Sequence, residues 1–422
     1  MNRFRWFTYP RNSPEISPRN FTCVQLDAIG VGLGNAASQF LPVFLSRLNA
    51  TTFEVGLLSS LPSITGLLLA IPLGRFLQQK INITRWYSLA RLIVLSCYAL
   101  TGLVGFVVPE AWLVKSVLLI WSLATFPQTL LAIVFTVLMN AIAGPQGRFE
   151  LMTRRWSILG ITTSTSVMII GQILDRVVFP LNYQLMFIVL SLGGLISFYA
   201  SSHIRVSETI PQVETQRRSL RVELAEMINL VFKRKSFVAF VVRRFVFTIG
   251  ISLAAPIIPL YLVREVQASD GWIAAINTSQ TATLVISYFF WTHLSRARGS
   301  RPILLWTTFG LVFYPLLMSF THMPWLIALF AVMSGFFQAG LDLVFFDELM
   351  KTVPIEFSAT FVSVAQSFQF LASIIAPLIA TIVADTLGLA VGLIFSAAFR
   401  FLGFLLFLSR GKAKPVSAAA CE

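Results

Sequence analysis

The sequence is poor in the charged groups that soluble proteins carry on their surfaces. Only 12% of its 422 residues are charged, whereas 56% are hydrophobic. Soluble domains hold about 25% charged residues, because their surfaces must face water. A bilayer removes that requirement, since lipid is the solvent for the outer side chains. The composition therefore predicts an integral membrane protein.

Residues that build common catalytic and metal centres are also scarce. The chain has three cysteines and three histidines, and their spacing matches neither zinc ligands nor a disulfide framework. The sequence contains no Gly-rich nucleotide loop and no nucleophile with a nearby histidine. We therefore expect no enzyme activity, no metal, no cofactor and no direct use of ATP.

The net charge of +14 raises the possibility of a nucleic-acid partner, because basic patches bind phosphates. The basic residues instead lie in short segments between apolar stretches, as topology signals do. The connections on one side of the predicted membrane hold 24 lysines and arginines, and those on the other side hold 3. This bias predicts an inner or plasma membrane protein with both termini in the cytoplasm and no nucleic-acid partner.

Apolar stretches of about 20 residues can cross the hydrocarbon core. Twelve such stretches predict an all-α membrane protein. The predicted spans are residues 21–45, 53–77, 85–108, 112–139, 153–179, 183–200, 237–263, 271–294, 302–320, 324–349, 357–384 and 388–408.

The two halves of the chain repeat short sequence patterns in the same order. The segment LPVFL at 41–45 corresponds to IPLYL at 258–262 with an offset of 217, and later matches have offsets of 213 and 210. Because six spans is an even number, two such copies share one orientation in the membrane. The predicted units are a leader (1–20), a six-helix bundle (21–200), a cytoplasmic linker (201–236), a second bundle (237–409) and a tail (410–422).

Twelve spans in two parallel halves, joined by a long basic loop, resemble the major facilitator superfamily over roughly residues 20 to 410. The signature of that family between helices 2 and 3 is Gly-x-x-x-Asp-Arg-x-Gly-Arg-Arg. Here the stretch from Gly74 to Lys80 lacks the aspartate and the second glycine. The corresponding stretch from Ser295 to Pro302 keeps arginines and a glycine but has no aspartate. The resemblance implies a monomeric transporter of a small molecule that works by alternating access, with two halves rocking about a central site.

Charged groups inside a membrane helix are costly, so each one is a functional hypothesis. Asp27 begins a polar stripe on helix 1, and Asp342 lies in helix 10 one turn after Gln338. Either carboxylate could exchange a proton as the site alternates, and either could instead form a fixed structural pair. The repeat offset places Asp27 opposite Arg244, which makes a lock between the halves an expectation of the sequence.

Polar residues at helical spacing mark candidate walls of a substrate cavity, although they could equally form interhelical hydrogen bonds. The cavity candidates are Asn35, Gln39, Gln128, Asn277, Gln280, Gln338, Gln366 and Gln369. Basic residues near the cytoplasmic ends could form the inner gate or simply anchor loops. The gate candidates are Arg75, Arg155, Arg244, Arg296 and Arg301.

Three functions fit these features. The first is a proton-coupled secondary transporter, for which the scarcity of fixed charge in the cavity favours export of lipophilic or amphipathic compounds. The second is an importer of sugars or other neutral metabolites, favoured by the amide and hydroxyl groups of helices 4, 8 and 11. The third is a non-transporting protein of the same fold that handles lipid or assists assembly.

Overall fold

A computed structural model describes residues 17–78, 82–206, 233–352 and 358–409. Within these ranges the chain is almost entirely helical and contains no strand. The helices of the first half are α1 (Pro18–Arg47), α2 (Thr52–Gln78), α3 (Ile83–Val107), α4 (Glu110–Leu174), α5 (Leu181–Ser191) and α6 (Gly193–Ser202). Those of the second half are α7 (Lys235–Arg264), α8 (Asp270–Arg298), α9 (Ser300–Gly310), α10 (Phe313–Met318), α11 (Pro324–Thr352), α12 (Ser358–Leu387) and α13 (Leu389–Leu408).

Eleven helical segments in the described ranges are long and apolar enough to cross a membrane. They match the predicted spans except for the eighth, α8, which has 29 residues and is not among the eleven. Its length suffices to cross, but polar residues such as Asn277, Gln280 and Thr281 lower its hydropathy. A polar helix of this kind belongs in the protein interior, because lipid does not solvate such groups.

The helices do not correspond one to one with the predicted spans. The fourth and fifth predicted spans both lie within the 65 residues of α4, as Glu110–Phe135 and Arg154–Leu174. The sixth span is divided at Leu192 into α5 and α6, and the ninth is divided after Gly310 into α9 and α10. The length of each apolar stretch predicted where the chain can cross the membrane. It does not predict where a helix is interrupted within a span or continues from one span into the next.

Within the described ranges, four pairs of helices make most of the packing between the two halves: α4 with α8, α2 with α12, α1 with α7, and α2 with α7. Hydrogen bonds cross this interface near its middle. Thr278 donates to the carbonyl of Ser164 (3.3 Å), and Ser60 donates to the carbonyl of Ile374 (3.3 Å). The interface therefore contains both apolar packing and polar contacts between helices of the two halves.

Small residues bring α1 and α6 close together. A Cβ at Gly30 would lie 2.4 Å from the carbonyl oxygen of Gly193 and 2.8 Å from Cβ of Ser197. A Cβ at Gly193 would likewise lie 2.6 Å from the carbonyl oxygen of Gly30. Close backbone approach at small residues is a common way to pack helices in lipid. Here it brings the Ser197 side chain to the interior of the first half.

We expect Gly30→Ala to lower the melting temperature of the purified protein by several degrees, because its methyl group would meet backbone atoms that cannot move independently. Overpacking of this kind costs about 1–3 kcal/mol. Gly34→Ala is the matched control on the same helix, since its methyl would meet only the tip of the Leu95 side chain. Thermal unfolding in detergent checks both. Equal losses in the two variants would contradict the close α1–α6 packing.

Candidate functional site

A buried carboxylate lies at the centre of the first half. Asp27 on α1 has a relative exposure of 0%. Its Oδ1 accepts a hydrogen bond from Ser197 Oγ on α6 (2.5 Å), and its Oδ2 accepts one from Tyr87 on α3 (2.8 Å). Arg155 on α4 donates to Oδ2 from Nη2 (3.3 Å). One side chain thus joins four helices.

A second guanidinium lies beside the same carboxylate. Nε of Arg91 is 3.9 Å from Oδ1 of Asp27, and Nη2 of Arg91 donates to the Tyr87 hydroxyl (2.9 Å). The Arg155 guanidinium also lies over the Phe135 ring, 4.5 Å from its centroid. Two cations therefore share one carboxylate in a buried cluster. Removing the carboxylate charge would leave both arginines without their ionic partner, which is costly in a buried site.

The predicted lock between Asp27 and Arg244 is wrong. Asp27 pairs within the first half, whereas Arg244 on α7 donates from Nη2 to Oε1 of Gln369 on α12 (2.8 Å). The Arg244 guanidinium also lies 5.3 Å from the centroid of the Phe345 ring. Equivalent positions of a repeat are related by symmetry and need not touch. Each of these side chains is instead directed into its own half.

Asp342 on α11 forms a different kind of cluster in the second half. Its Oδ2 accepts a hydrogen bond from the Tyr288 hydroxyl on α8 (2.9 Å), and its Oδ1 accepts one from Gln338 Nε2 (2.8 Å). Arg244 is close enough to act on Asp342 electrostatically. The aspartate is exposed at a point where α7, α8, α11 and α12 converge.

The two carboxylates differ in the charge of their hydrogen-bond donors. Asp27 is buried and accepts a hydrogen bond from an arginine, whereas the two donors to Asp342 are uncharged and the side chain is exposed. Hydrogen bonds from neutral donors are weaker than charge-assisted ones. Asp27 is therefore held by a charged partner, whereas the groups that hydrogen-bond Asp342 are neutral.

The other predicted site residues differ in exposure and in their partners. Gln280 donates to Ser334 Oγ (3.3 Å), which is an interhelical hydrogen bond within the second half. The side chains of Arg75 and Arg296 lie outside the part of the chain that the structure describes. The half-buried cavity candidates are Asn35, Gln39, Gln128, Asn277, Gln280, Gln338 and Gln369, and the exposed candidates are Gln366 and Arg301.

A latch joins the two halves at the end of the bundle that contains Arg47 and Asp270. Arg47, the last residue of α1, lies 2.7 Å from Asp270 Oδ1 through its Nη2 and donates to the carbonyl of Ala268 (3.0 Å). Tyr183 also donates to Asp270 Oδ1 (2.6 Å). The Asp270 side chain is only 7% exposed, whereas the Arg47 side chain is 27% exposed, so the carboxylate is the more shielded partner of this ion pair.

A second arginine makes the reciprocal contact. Arg264, at the end of α7, donates to the carbonyl of Ala50 (2.5 Å) and to Oγ1 of Thr52 (3.3 Å). Arg47 and Arg264 are related by the same offset of 217 that relates the repeated sequence segments. Each arginine thus reaches from the end of the first helix of its own half to the turn that follows the first helix of the other half.

The backbone of both turns has the same unusual conformation. Asn49 has φ of 58° and Gln267 has φ of 51°, which are left-handed values that few residues other than glycine adopt. Beside them, Asp175 Oδ2 accepts hydrogen bonds from Ser269 Oγ (3.1 Å) and from the backbone of Gly271 (3.0 Å). We call Arg47, Arg264, Asp175 and Asp270 the arginine latch. It connects the halves on the side of the bundle opposite to Pro18 and Lys235.

Sequence reasoning missed two arginines, one half-buried and one buried. Arg91 is part of the Asp27 cluster, and Arg400 on α13 is 5% exposed and donates to the carbonyls of Leu311 (2.9 Å) and Gly250 (3.4 Å). Both residues lie inside predicted spans. A charge within an apolar stretch was the signal that could have identified them.

Comparison with known proteins agrees with this architecture. The family model described as Major Facilitator Superfamily matches residues 240–420. The multidrug resistance protein MdtG of Proteus mirabilis (strain HI4320) is 27% identical to this chain over 167 residues, which is 38% of this chain and 40% of MdtG. The alignment therefore spans less than half the length of that relative.

Two solved structures have the same fold. A mutant form of the nucleoside transporter NupG superposes with a TM-score of 0.74 at 10% identity, covering 92% of this chain and 99% of NupG. A bacterial homologue of the iron transporter ferroportin, in an inward-facing state, has a TM-score of 0.72 at 13% identity and covers 93% and 99% of the two chains. At these identities the likeness establishes the fold alone.

We expect Asp27→Asn to lower the free energy of unfolding by about 3–5 kcal/mol, because it leaves two buried guanidiniums without their carboxylate. Arg155→Gln in the same chain should restore part of that loss, since one of the unpaired cations is then absent. Thermal unfolding of both single variants and the double variant measures the coupling. Purely additive losses would show that Arg155 and Asp27 do not stabilise each other.

We expect the double variant Arg47→Ala/Arg264→Ala to open the latch side of the bundle more often than the native chain. A cysteine placed by Gln39→Cys, with Cys23, Cys97 and Cys421 replaced by alanine, should then react about tenfold faster with a membrane-impermeant thiol reagent added from that side. Arg176→Ala is the control, because it removes an exposed arginine beside the latch. An unchanged reaction rate would mean that the latch does not restrain this side.

Proposed function

We propose that the chain is a member of the major facilitator superfamily and that it exports small molecules in exchange for protons. Its fold and the family match over residues 240–420 support the first part of this proposal. Membership implies transport of a small solute, and the direction, the coupling ion and the roles of individual residues are further parts of the proposal.

The observation that carries proton coupling is the environment of Asp342. The carboxylate is exposed, its two hydrogen-bond donors are uncharged, and Arg244 acts on it from another helix. Such a group can change its charge without leaving a directly bonded cation unpaired. Asp27 lacks that freedom, because Arg155 and Arg91 both depend on its charge.

A proton on Asp342 would act on the packing of the second half. The ionised carboxylate attracts Arg244, and so helps hold α11 against α7. Protonation removes that attraction and turns one carboxylate oxygen from an acceptor into a donor. The four helices that converge there would then rearrange relative to one another, and this change would bias the two halves towards opening on one side. A proton moving down its gradient thereby drives solute in the opposite direction.

Export of lipophilic or amphipathic compounds is favoured over import for two reasons. MdtG, with which the chain shares 27% identity over 167 residues, is a multidrug resistance protein. The candidate cavity residues are otherwise neutral amides, with few fixed charges to select a strongly charged solute. We place the protein in the inner or plasma membrane, with the basic side of the bundle facing the cytoplasm.

An importer of sugars or other neutral metabolites is the second candidate. The observation in its favour is the set of half-buried amides on α4, α8 and α12, which includes Gln128, Asn277 and Gln369. Such groups hydrogen-bond the hydroxyls of a polar solute. Growth on single carbon sources, with and without the protein, separates this candidate from an exporter.

The export proposal predicts that the native protein protects an efflux-deficient bacterium against members of a panel of toxic lipophilic compounds. Asp342→Asn should abolish that protection, because an amide cannot exchange a proton. Asp347→Asn is the matched control on the same helix, since Asp347 is half-exposed and pairs with Lys351 (2.7 Å). Membrane levels of all three proteins are measured by immunoblot.

Two outcomes would contradict the proposal. If no compound is tolerated better when the native protein is present in the membrane, the export function is wrong and the importer takes its place. If Asp342→Asn protects as well as the native protein, export stands but Asp342 has no part in proton coupling.

A further inference from the structure

A groove runs along the outside of the second half, between the start of α7 and the end of α13. It is lined by Lys235, Val238, Ala239, Val242, Arg243 and Leu406, and has a volume of about 390 Å³. Four of these side chains are apolar and two are cationic. Lys235 is the first residue of α7, where the chain passes from a polar connection into an apolar helix.

The cations are arranged along the groove. Lys235 is exposed and follows two further exposed cations, Lys233 and Arg234. Arg243 lies eight residues further along α7, which corresponds to about 12 Å along the helix axis. Lys235 therefore lies at the membrane surface and Arg243 lies deeper, between apolar walls formed by Val242 and its neighbours.

Consecutive arginines on α7 have separate roles. Arg244 is directed inward, where it donates to Gln369 and lies over the Phe345 ring. Arg243 is directed to the outer groove, because successive side chains on a helix are about 100° apart. The two consecutive arginines are therefore divided between the interior and the outer groove.

A phospholipid with an anionic headgroup matches this groove. Its phosphate would lie between Lys235 and Arg243, and an acyl chain would cover Val238, Val242 and Leu406. Basic pockets between transmembrane helices are known to hold acidic headgroups, with each lysine or arginine near the membrane surface adding attraction. None of the six lining residues is acidic, so the charge of the groove complements an anion.

We propose that this groove is a binding site for one anionic phospholipid, with Lys235 and Arg243 holding the headgroup phosphate. The bound lipid would cover both α7 and α13. These helices are already joined by a hydrogen bond from Ser396 Oγ to the carbonyl of Gly250 (2.6 Å). The lipid would therefore stabilise the start of α7, the helix whose other face carries Arg244.

Native mass spectrometry of the full-length purified protein tests the site. The protein is incubated in detergent with phosphatidylglycerol or phosphatidylcholine, and retained lipid is counted. We expect the native protein to retain phosphatidylglycerol about tenfold better than phosphatidylcholine. Lys235→Ala/Arg243→Ala should abolish the preference, and Lys235→Ala alone should reduce it. The control is Arg205→Ala/Arg298→Ala, which removes two exposed cations from the same side of the bundle.

The outcomes are distinct. Equal retention of the two lipids by the native protein, or equal loss in the test and control variants, would overturn the proposal. Inorganic phosphate is added as a competitor, and complete displacement of phosphatidylglycerol by it would mean that the groove binds free phosphate rather than lipid. Thermal unfolding confirms that each variant is folded, and Lys235→Ala provides the test if the double variant is not.

Discussion

Hydrocarbon cannot hydrogen-bond a carboxylate or a guanidinium, so charges inside a membrane bundle must find their partners within the protein. The interior of this protein is organised around that constraint. Asp27 joins four helices of the first half through Ser197, Tyr87 and Arg155. Arg400 joins α13 to the carbonyls of Leu311 and Gly250 in the second half. These pairings hold each half together as a unit, and a mechanism in which two halves rock requires such units.

The internal repeat explains how the halves are held to each other. Arg47 and Arg264 occupy equivalent positions of the repeat. The same contact, from an arginine to the turn of the opposite half, is therefore made twice. Ion pairs and hydrogen bonds at one end can break and reform as that end opens. The packing of α4 on α8 and of α2 on α12 lies along the interface between the halves. In the transport cycle proposed above, the halves would move along this surface, the latch would be the gate, and Asp342 would be the charge that changes.

The fold was largely predictable, because the length of an apolar run is a local property that directly determines whether a helix can span lipid. Asp27 and Asp342 were also identifiable, since a carboxylate in such a run is conspicuous. Their partners were not, because Ser197 lies 170 residues from Asp27 in sequence and is brought to it by α1–α6 packing. The expected contact of Asp27 with Arg244 failed because an offset between repeats identifies equivalent positions and carries no information on distance. The latch was equally hidden, since Arg47 and Arg264 could be predicted only as loop residues.

The most direct test of proton-coupled alternating access is a comparison of two fluxes in proteoliposomes that contain Asp342→Asn and a compound exported by the native protein. One flux is driven by a pH gradient, and the other is exchange of labelled for unlabelled compound without a gradient. Exchange requires both conformations and solute binding but no net proton movement. We expect the variant to lose gradient-driven flux and to retain exchange. Gradient-driven flux equal to that of the native protein would contradict proton coupling through Asp342.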